Sequence, residues 1–546
     1  MKKTKKQTKY IFVTGGVVSG LGKGITAASL GRILKARGFL VNMQKCDPYL
    51  NTDAGTLNPA EHGEVFVTRD GAETDLDLGH YERFIDRELD KSSSVISGQF
   101  FSQVIANERK GVYLGKTVQI IPHITEEIQR RIVEAGKGFD IHIVEIGGTV
   151  GDYEAMAFIE AIRQMKRKVG ANNVLYAHLV FLPYLETSKE VKTKPAQNSV
   201  RDLREAGILP DVLFVRTDHP ITAEALDKMS LYCDVDKDAI VGLETARTVY
   251  EVPLRMEETG IGDYIVDRIG LTKRAAKLQK WESLVDDILS TKKEITIGVV
   301  AKYMSHEDTY MSVFEALRAA GWHHSTDVKI MWVNAENTGH IKDDLAEVDG
   351  IVVPGGFGSR GIEGKIMAAE FARINNVPYL GLCLGMQIAV IEFARNVLGL
   401  KDANSAEIDA NTKNPVIHIM PSQVGVELGG SMRLGDYKCM LNKQSRAYLA
   451  YGQNSVLERH RHRYEFNNEY RDKLVEAGMV LSGLSPDNQL VEIIELNNHP
   501  FFVASQFHPE FKSRPDHAHP LFRDFIGATT NIAKNKVLTT QHSNQK

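Results

Sequence analysis

Residues 10–14, Tyr-Ile-Phe-Val-Thr, pass without a spacer into Gly15-Gly16-Val17-Val18-Ser19-Gly20-Leu21-Gly22-Lys23-Gly24. A short aromatic and β-branched run reads as a buried strand, and glycines directly after it allow the tight turn that ends a strand and starts a helix. Ile25 to Lys35 has helical spacing and Leu40 to Met43 is apolar again, so the chain opens as a βαβ unit. That beginning commits it to an α/β fold with a parallel sheet. Successive backbone N–H groups in such a turn can surround phosphate oxygens, with Lys23 reaching their charge. The turn is P-loop-like, but its spacing departs from the strict motif, and Gly24 stands where Ser or Thr would bind magnesium. Metal binding then falls to other hard oxygens. The candidates are Asp77, in the acidic stretch Asp70 to Gly79, and Glu145, which follows the apolar run Ile141 to Val144.

Further apolar runs at Val174 to Leu182 and Val212 to Val215, each followed by turn or helix residues, continue the parallel-sheet pattern. At 546 residues the chain exceeds what one hydrophobic core usually serves. Residues 1–271 form the first expected domain, and the charged stretch 272–294, with Leu, Trp, Val and Ile at helical spacing, a linker helix. A second α/β series starts at Ile295 and continues through Ile351 to Val353 and Val377 to Leu382, giving a domain over 295–530. Residues 531–546 are polar and predict a disordered tail. With 66 basic against 70 acidic side chains the net charge is −4, so no global field draws the chain to nucleic acid or an anionic membrane. No apolar run approaches the roughly 18 residues of a membrane span. The four cysteines form no CxxC pair, which argues against a zinc knuckle or a disulfide framework and predicts a reducing, cytoplasmic setting.

In the second series, Gly381-Leu382-Cys383-Leu384-Gly385 has the form of a nucleophile elbow with cysteine in place of serine. A thiolate there would gain from the N–H groups of the following helix. Gln506-Phe507-His508-Pro509-Glu510 follows the apolar run Phe501 to Ala504. Alternation along an extended segment would put His508 and Glu510 on one side, a base with a carboxylate to orient it. Pro354-Gly355-Gly356-Phe357-Gly358, after the strand Ile351 to Val353, can offer backbone N–H donors to an oxyanion.

These three elements, in this order, resemble the class I glutamine amidotransferase domain across about residues 295 to 530. The resemblance implies that Cys383 attacks the glutamine amide and releases ammonia, with Gly356 and Leu384 at the oxyanion hole and Gln387, Glu407 and Arg463 holding the substrate. The segments GGVVSGLGKG, KCDPYLN, HGEVFVTRDGAETDLDLGHYERF, VEIGGTVGDYE and KTKPAQNSV are together similar to the CTP synthase family. The fold implied is a P-loop-like parallel-sheet synthetase domain followed by an α/β class I glutamine amidotransferase domain.

That family resemblance further implies ATP-dependent amination of UTP to CTP through a 4-phosphorylated intermediate. ATP would meet Gly20, Leu21, Gly22, Lys23, Gly24, Ile25, Lys45 and Asp77, with Mg2+ on Asp77 and Glu145. UTP or CTP would meet Ser19, Asp152, Tyr153, Glu154, Lys192, Thr193, Lys194, Gln197 and Lys228. GTP is implied as activator, CTP as product inhibitor, and a homotetramer, with stacking into filaments, as the assembly. Read without the family, Lys192 to Gln197 is a turn with solvated lysines. Cys46, Tyr49 to Asn51 and Ser359 depart from the family's pattern. Two rivals remain at this stage: a related ligase that amidates another substrate, and a polymer-forming chain without catalysis.

Overall fold

A computed structural model of the chain describes residues 7–18, 20–302, 307–420, 423, 425 and 430–543, with backbone only for 535–543. Two compact units result: residues through Ala54 together with Asp77–Leu289, and Gly55–Leu76 together with Ser290 onward.

The sheet of the first unit contains β1 (Lys9–Gly15), β2 (Val41–Asp47), β3 (Ser94–Ile96), β4 (Ile141–Ile146), β5 (Val174–Phe181), β6 (Val212–Thr217) and β7 (Ile240–Glu244). They pair in the order β7-β6-β5-β1-β4-β2-β3, every neighbour parallel. Tyr10, Phe12, Val144 and Tyr176 pack with Ile128, Phe158 and Ile162 on one side, while the alternate residues Ile11 and Val13 are buried too. Burial of both sets of side chains is why these strands read as unbroken apolar runs. Helices α1 (Lys23–Ala36), α2 (Asp77–Ile85), α3 (Lys194–Glu205) and α4 (Ala223–Cys233) follow strands or turns. The expected linker contains α5 (Gln279–Leu289), which belongs to this unit. Trp281 secures it, with its indole N–H donating to the Tyr250 carbonyl at 2.7 Å and its ring against Phe84.

The sheet of the second unit contains β8 (Lys293–Ala301), β9 (Thr326–Asn334), β10 (Gly350–Val353), β11 (Tyr379–Leu382), β12 (Arg433–Leu441), β13 (Ser455–His462), β14 (Met479–Leu484), β15 (Val491–Leu496) and β16 (Phe502–Ser505). Their order is β9-β8-β10-β11-β16-β15-β14-β12-β13. The first five are mutually parallel and the remaining pairings antiparallel. Helices α6 (Ile362–Asn375) and α7 (Leu384–Asn396) follow the glycine loop and the elbow. The last helix, α8 (Pro520–Ser543), runs through most of the stretch expected to be a disordered tail. Phe522, Phe525 and Ile526 anchor its first turns in the core.

Sequence order places residues 55–76 in the first domain, yet they fold with the second unit. A hairpin of Phe66–Val67 and Glu73–Thr74 is the centre of the segment. Asp436 N–H donates to the Arg69 carbonyl at 2.8 Å, Arg459 to the Val67 carbonyl at 3.1 Å, and Arg461 pairs with Glu73 at 2.8 Å. Ser312 N–H donates to the Glu64 carboxylate at 2.7 Å, and Phe66 meets Phe511 edge-on. Backbone bonds, ion pairs and ring contact together hold this excursion.

A buried ion pair braces the antiparallel half of the second sheet. Arg433 on β12 donates to both carboxylate oxygens of Glu492 on β15, at 3.2 and 2.8 Å. The neighbouring His462 is held neutral, its pKa driven down to about 3 by burial and then by Arg433, so neither it nor His460 adds charge. Removing one partner of such a pair strands the other charge in the interior. Glu492→Ala is expected to destabilise this unit by about 3–5 kcal/mol, read as a lower denaturant midpoint for its transition.

Candidate functional site

In the second unit three adjacent parallel strands deliver the predicted groups at their C-terminal ends. β10 runs into the loop Pro354-Gly355-Gly356, β11 into Cys383, and β16 toward His508. Cys383 adopts φ 51°, ψ −100° as it caps α7, a conformation L residues rarely take. Its flanking glycines are steric requirements. A Cβ on Gly381 would lie 2.8 Å from the Gly385 backbone and from Ala504, and one on Gly385 would overlap the Val353 carbonyl. A third glycine keeps base and nucleophile in reach: a Cβ on Gly355 would lie 2.7 Å from the His508 ring and 3.6 Å from Cys383 Cβ.

His508 Nδ1 and Glu510 Oε1 are 2.7 Å apart. The pair is made differently from the alternation expected of an extended segment, because β16 ends at Ser505 and Pro509–Lys512 form a 3-10 turn that folds Glu510 back. Burial opposes charge on His508, but Glu510 and then Cys383 outweigh it and raise its pKa to about 10. Its Nε2 has no hydrogen-bond partner among the described residues; catalytic contacts of this kind commonly tighten only with substrate in place. The sulfur instead contacts the Arg461 carbonyl at 3.6 Å and the Gln506 amide at 3.7 Å.

The predicted glutamine contacts attach to this centre to different degrees. Gln387 donates to Gln506 Oε1 at 3.3 Å and to the Tyr464 carbonyl at 3.0 Å. Glu407 accepts the Gly358 N–H at 2.9 Å, which ties it to the glycine loop. Leu384 begins α7 beside Gly356, and Arg463, just past β13, donates to Ser431 at 2.8 Å. A cavity joins Gly355, Gly356, His508 and Glu510 to Pro59 and Glu64 of the excursion.

In the first unit the glycine-rich turn follows β1, and Gly20 to Ile25 lead into α1 through Gly20 at φ 71° and Gly22 at φ 94°. Ser19 lies outside the described residues. Gly24 faces Asp77 so closely that a Cβ would overlap the carboxylate. This accounts for the missing Ser or Thr: the space is taken by the acid on α2. Lys23 donates to the Gly148 carbonyl, and burial lowers its pKa. Strand register sets Lys45 on β2 beside Glu145 on β4. Lys45 pairs with Asp77, with Asp47 at 3.4 Å and with Glu145 at 3.6 Å.

Burial raises the Glu145 pKa, and Tyr81, which the sequence reading did not single out, donates its hydroxyl to that carboxylate. No group of three or more His, Cys, Asp or Glu among the described residues could hold a metal by itself. Asp77 and Glu145, two of the three carboxylates around Lys45, do suit magnesium, which takes one or two protein carboxylates and fills its sphere with water and phosphate oxygens. Beneath the turn, His178 bridges Thr14 at 2.8 Å and Ser199 on α3 at 2.9 Å. Burial drives its pKa to about 3, so this bridge is neutral.

The proposed pyrimidine-nucleotide residues form two groups. Lys192, Thr193, Lys194 and Gln197 gather at the start of α3, where Gln197 donates to Thr193 at 3.1 Å. Glu190 pairs with Lys192, and Lys228 on α4 pairs with Glu224 at 2.7 Å. Asp152, Tyr153 and Glu154 follow β4, with Asp152 accepting the Thr149 N–H at 2.9 Å. No hydrogen bond or ion pair joins the two groups among the described residues, and Tyr153 is 93% exposed.

Two family models match the chain, and the first of them along the sequence spans residues 55–76, which fold with the second unit. The model described as "Glutamine amidotransferase class-I" matches residues 306–528, and that described as "CTP synthase N-terminus" matches residues 9–271. Fold and site thus define a carbon–nitrogen ligase with its own amidotransferase unit. A curated CTP synthase of Carboxydothermus hydrogenoformans is 57% identical over 96% of this chain and 99% of that protein. One of Bacillus pumilus is 55% identical over 97% of this chain and 100% of that protein. The chain belongs to the CTP synthase family. A solved glutaminase domain of Trypanosoma brucei CTPS with bound acivicin is 38% identical over 43% of this chain and 94% of that one, at a TM-score of 0.42.

The His508–Glu510 contact gives a pH prediction. A folded-state pKa raised to about 10 keeps the imidazolium through neutral pH. Its contribution to stability is complete below the unfolded value of about 6.5 and is lost as pH rises through about 10. In Glu510→Gln the imidazolium should be lost at distinctly lower pH, which an NMR titration of the ring will show.

Proposed function

We propose that the chain converts UTP to CTP with ATP and with ammonia taken from glutamine, using Cys383, His508 and Glu510 for glutamine and Lys23, Lys45, Asp77 and Glu145 for the phosphoryl chemistry. The observation that carries this reading is the convergence of Lys45, Asp77 and Glu145 where β2 and β4 end.

In this reading the Cys383 thiolate adds to the glutamine amide carbon, and the imidazolium of His508 gives its proton to the departing nitrogen. Ammonia leaves and a glutamyl thioester remains. Water, activated by the now neutral His508, hydrolyses the thioester to glutamate. Glu510 keeps the ring oriented throughout. At the nucleotide site Lys23 and Lys45 place positive charge on the ATP phosphates and on the phosphoryl group as it passes to the uracil 4-oxygen. Ammonia then displaces phosphate, leaving CTP, ADP and phosphate. Asp77 and Glu145 would hold Mg2+, which when bound neutralises phosphate charge.

GTP as activator and CTP as product inhibitor complete the proposed cycle, with Asp152, Tyr153 and Glu154 taking the cytosine. A homotetramer able to stack into filaments is the proposed assembly. In support, Ile105, Val112, Leu114 and Ile121 are more than half exposed on the first unit. We place the enzyme in the cytoplasm, where its buried thiols Cys46, Cys233, Cys383 and Cys439 stay reduced; no described helix is long and apolar enough to cross a membrane.

The absorbance change from UTP to CTP tests the division of labour. Cys383→Ala should lose glutamine-dependent synthesis by about 10³-fold or more while keeping synthesis from added ammonia. Lys23→Ala and Asp77→Ala should lose both. Loss of ammonia-dependent synthesis in Cys383→Ala would overturn the separation of the two chemistries, and its survival in Lys23→Ala would remove that lysine from the phosphoryl site.

A further inference from the structure

Lys365, in the first turn of α6, is 1% exposed. It lies against the glycine loop: a Cβ on Gly356 would be 3.7 Å from its ammonium nitrogen and 3.4 Å from the Leu384 side chain. The ammonium therefore lies beside Gly356, one of the two residues taken as oxyanion donors. Other buried cations of this unit have fixed counter-ions, Arg433 with Glu492 at 2.8 Å and Arg373 with Glu392 at 2.7 Å. Among the described residues no carboxylate pairs with Lys365. An isolated buried charge is unfavourable unless something compensates it.

The groups facing Lys365 are Cys383 at the elbow and Lys302 past β8, which donates to the Phe357 carbonyl. The carboxylates that act on Lys302 are engaged, Glu336 with Arg360 at 2.8 Å and Glu407 with the Gly358 N–H at 2.9 Å. Burial, and then Lys302, lower the Lys365 pKa to about 7, with Cys383 opposing.

We propose that Lys365 is a catalytic residue of the glutaminase reaction, its ammonium supplying the counter-charge to the oxyanion that forms beside Gly356. This rests on the reading of Cys383 as nucleophile and of Gly356 and Leu384 as oxyanion donors. When the sulfur–carbon bond forms, the carbonyl π pair moves onto oxygen. It returns as the carbon–nitrogen bond breaks and the nitrogen takes the His508 proton. The negative oxygen exists only between these events, so a charge beside the loop acts on the barrier and leaves ground-state binding alone.

Lys365→Met removes the charge while keeping the length of the side chain. In the full chain, glutamine-dependent kcat should fall about 10–100-fold with KM for glutamine little changed, while synthesis from ammonia is retained. Wild-type glutaminase turnover should lose a component as pH rises through about 7, a loss the variant lacks. Alkylation of Cys383 by iodoacetamide should slow far less than kcat falls. Unchanged kcat, a fall confined to KM, joint loss of both activities, or alkylation slowed in step with kcat would each overturn the inference, the last by assigning the ammonium to the thiolate. Cys383→Ala assayed alongside separates the two levels: glutaminase surviving there defeats the underlying reading, whereas its loss beside an unaffected Lys365→Met defeats only the role of the lysine.

Discussion

A parallel strand that feeds a helix must turn within a few residues, and the helix it feeds starts with N–H groups that no carbonyl of the helix can reach. Both units put their candidate chemistry at that junction. In the first, the turn after β1 needs glycine at φ 71° and 94° to bring bare backbone toward a phosphate site. In the second, the turn after β11 holds Cys383 at φ 51°, and the glycines on either side leave no room for a side chain. A change at Gly381 or Gly385 would move the nucleophile before it altered any chemical group.

Both centres hold paired charges. Around Lys45 two ammonium groups, its own and that of Lys23, act among Asp47, Asp77 and Glu145, so opposite charges stand close together before any nucleotide arrives. Around Cys383 the imidazolium of His508 is matched by the Glu510 carboxylate, while Lys365 stands beside Gly356 with no carboxylate paired to it among the described residues. Fixed charges already in place where charge shifts during a reaction are how a low-dielectric interior stabilises transition states.

The sequence made the α/β layout legible because glycine turns and doubly buried strands leave strong signals; β1, β4, β8 and β10 lie where their apolar runs stand. The elbow, the histidine–glutamate pair and the glycine loop were equally visible, since each depends on neighbours in sequence. Features created by packing were not. Lys365 looks like any helix lysine until α6 turns it inward, and Tyr81 lies inside a quoted motif without spacing to mark it. The role of Gly24 needed the position of Asp77, 53 residues further along. The end of the chain read as disordered because its composition is polar, yet Phe522, Phe525 and Ile526 start a helix whose backbone continues well beyond them.

Residues 55–76 leave the first unit and return to it, having folded with partners that include Asp308, Asp436, Arg461 and Phe511. During synthesis this excursion emerges long before those partners exist. At about 5–20 residues per second, more than 400 residues of translation separate Phe66 from Phe511, a delay of tens of seconds. For that interval the hairpin around Phe66 lacks the partners that hold it in the finished fold. Genetic separation at the junction after α5 would make the same delay permanent.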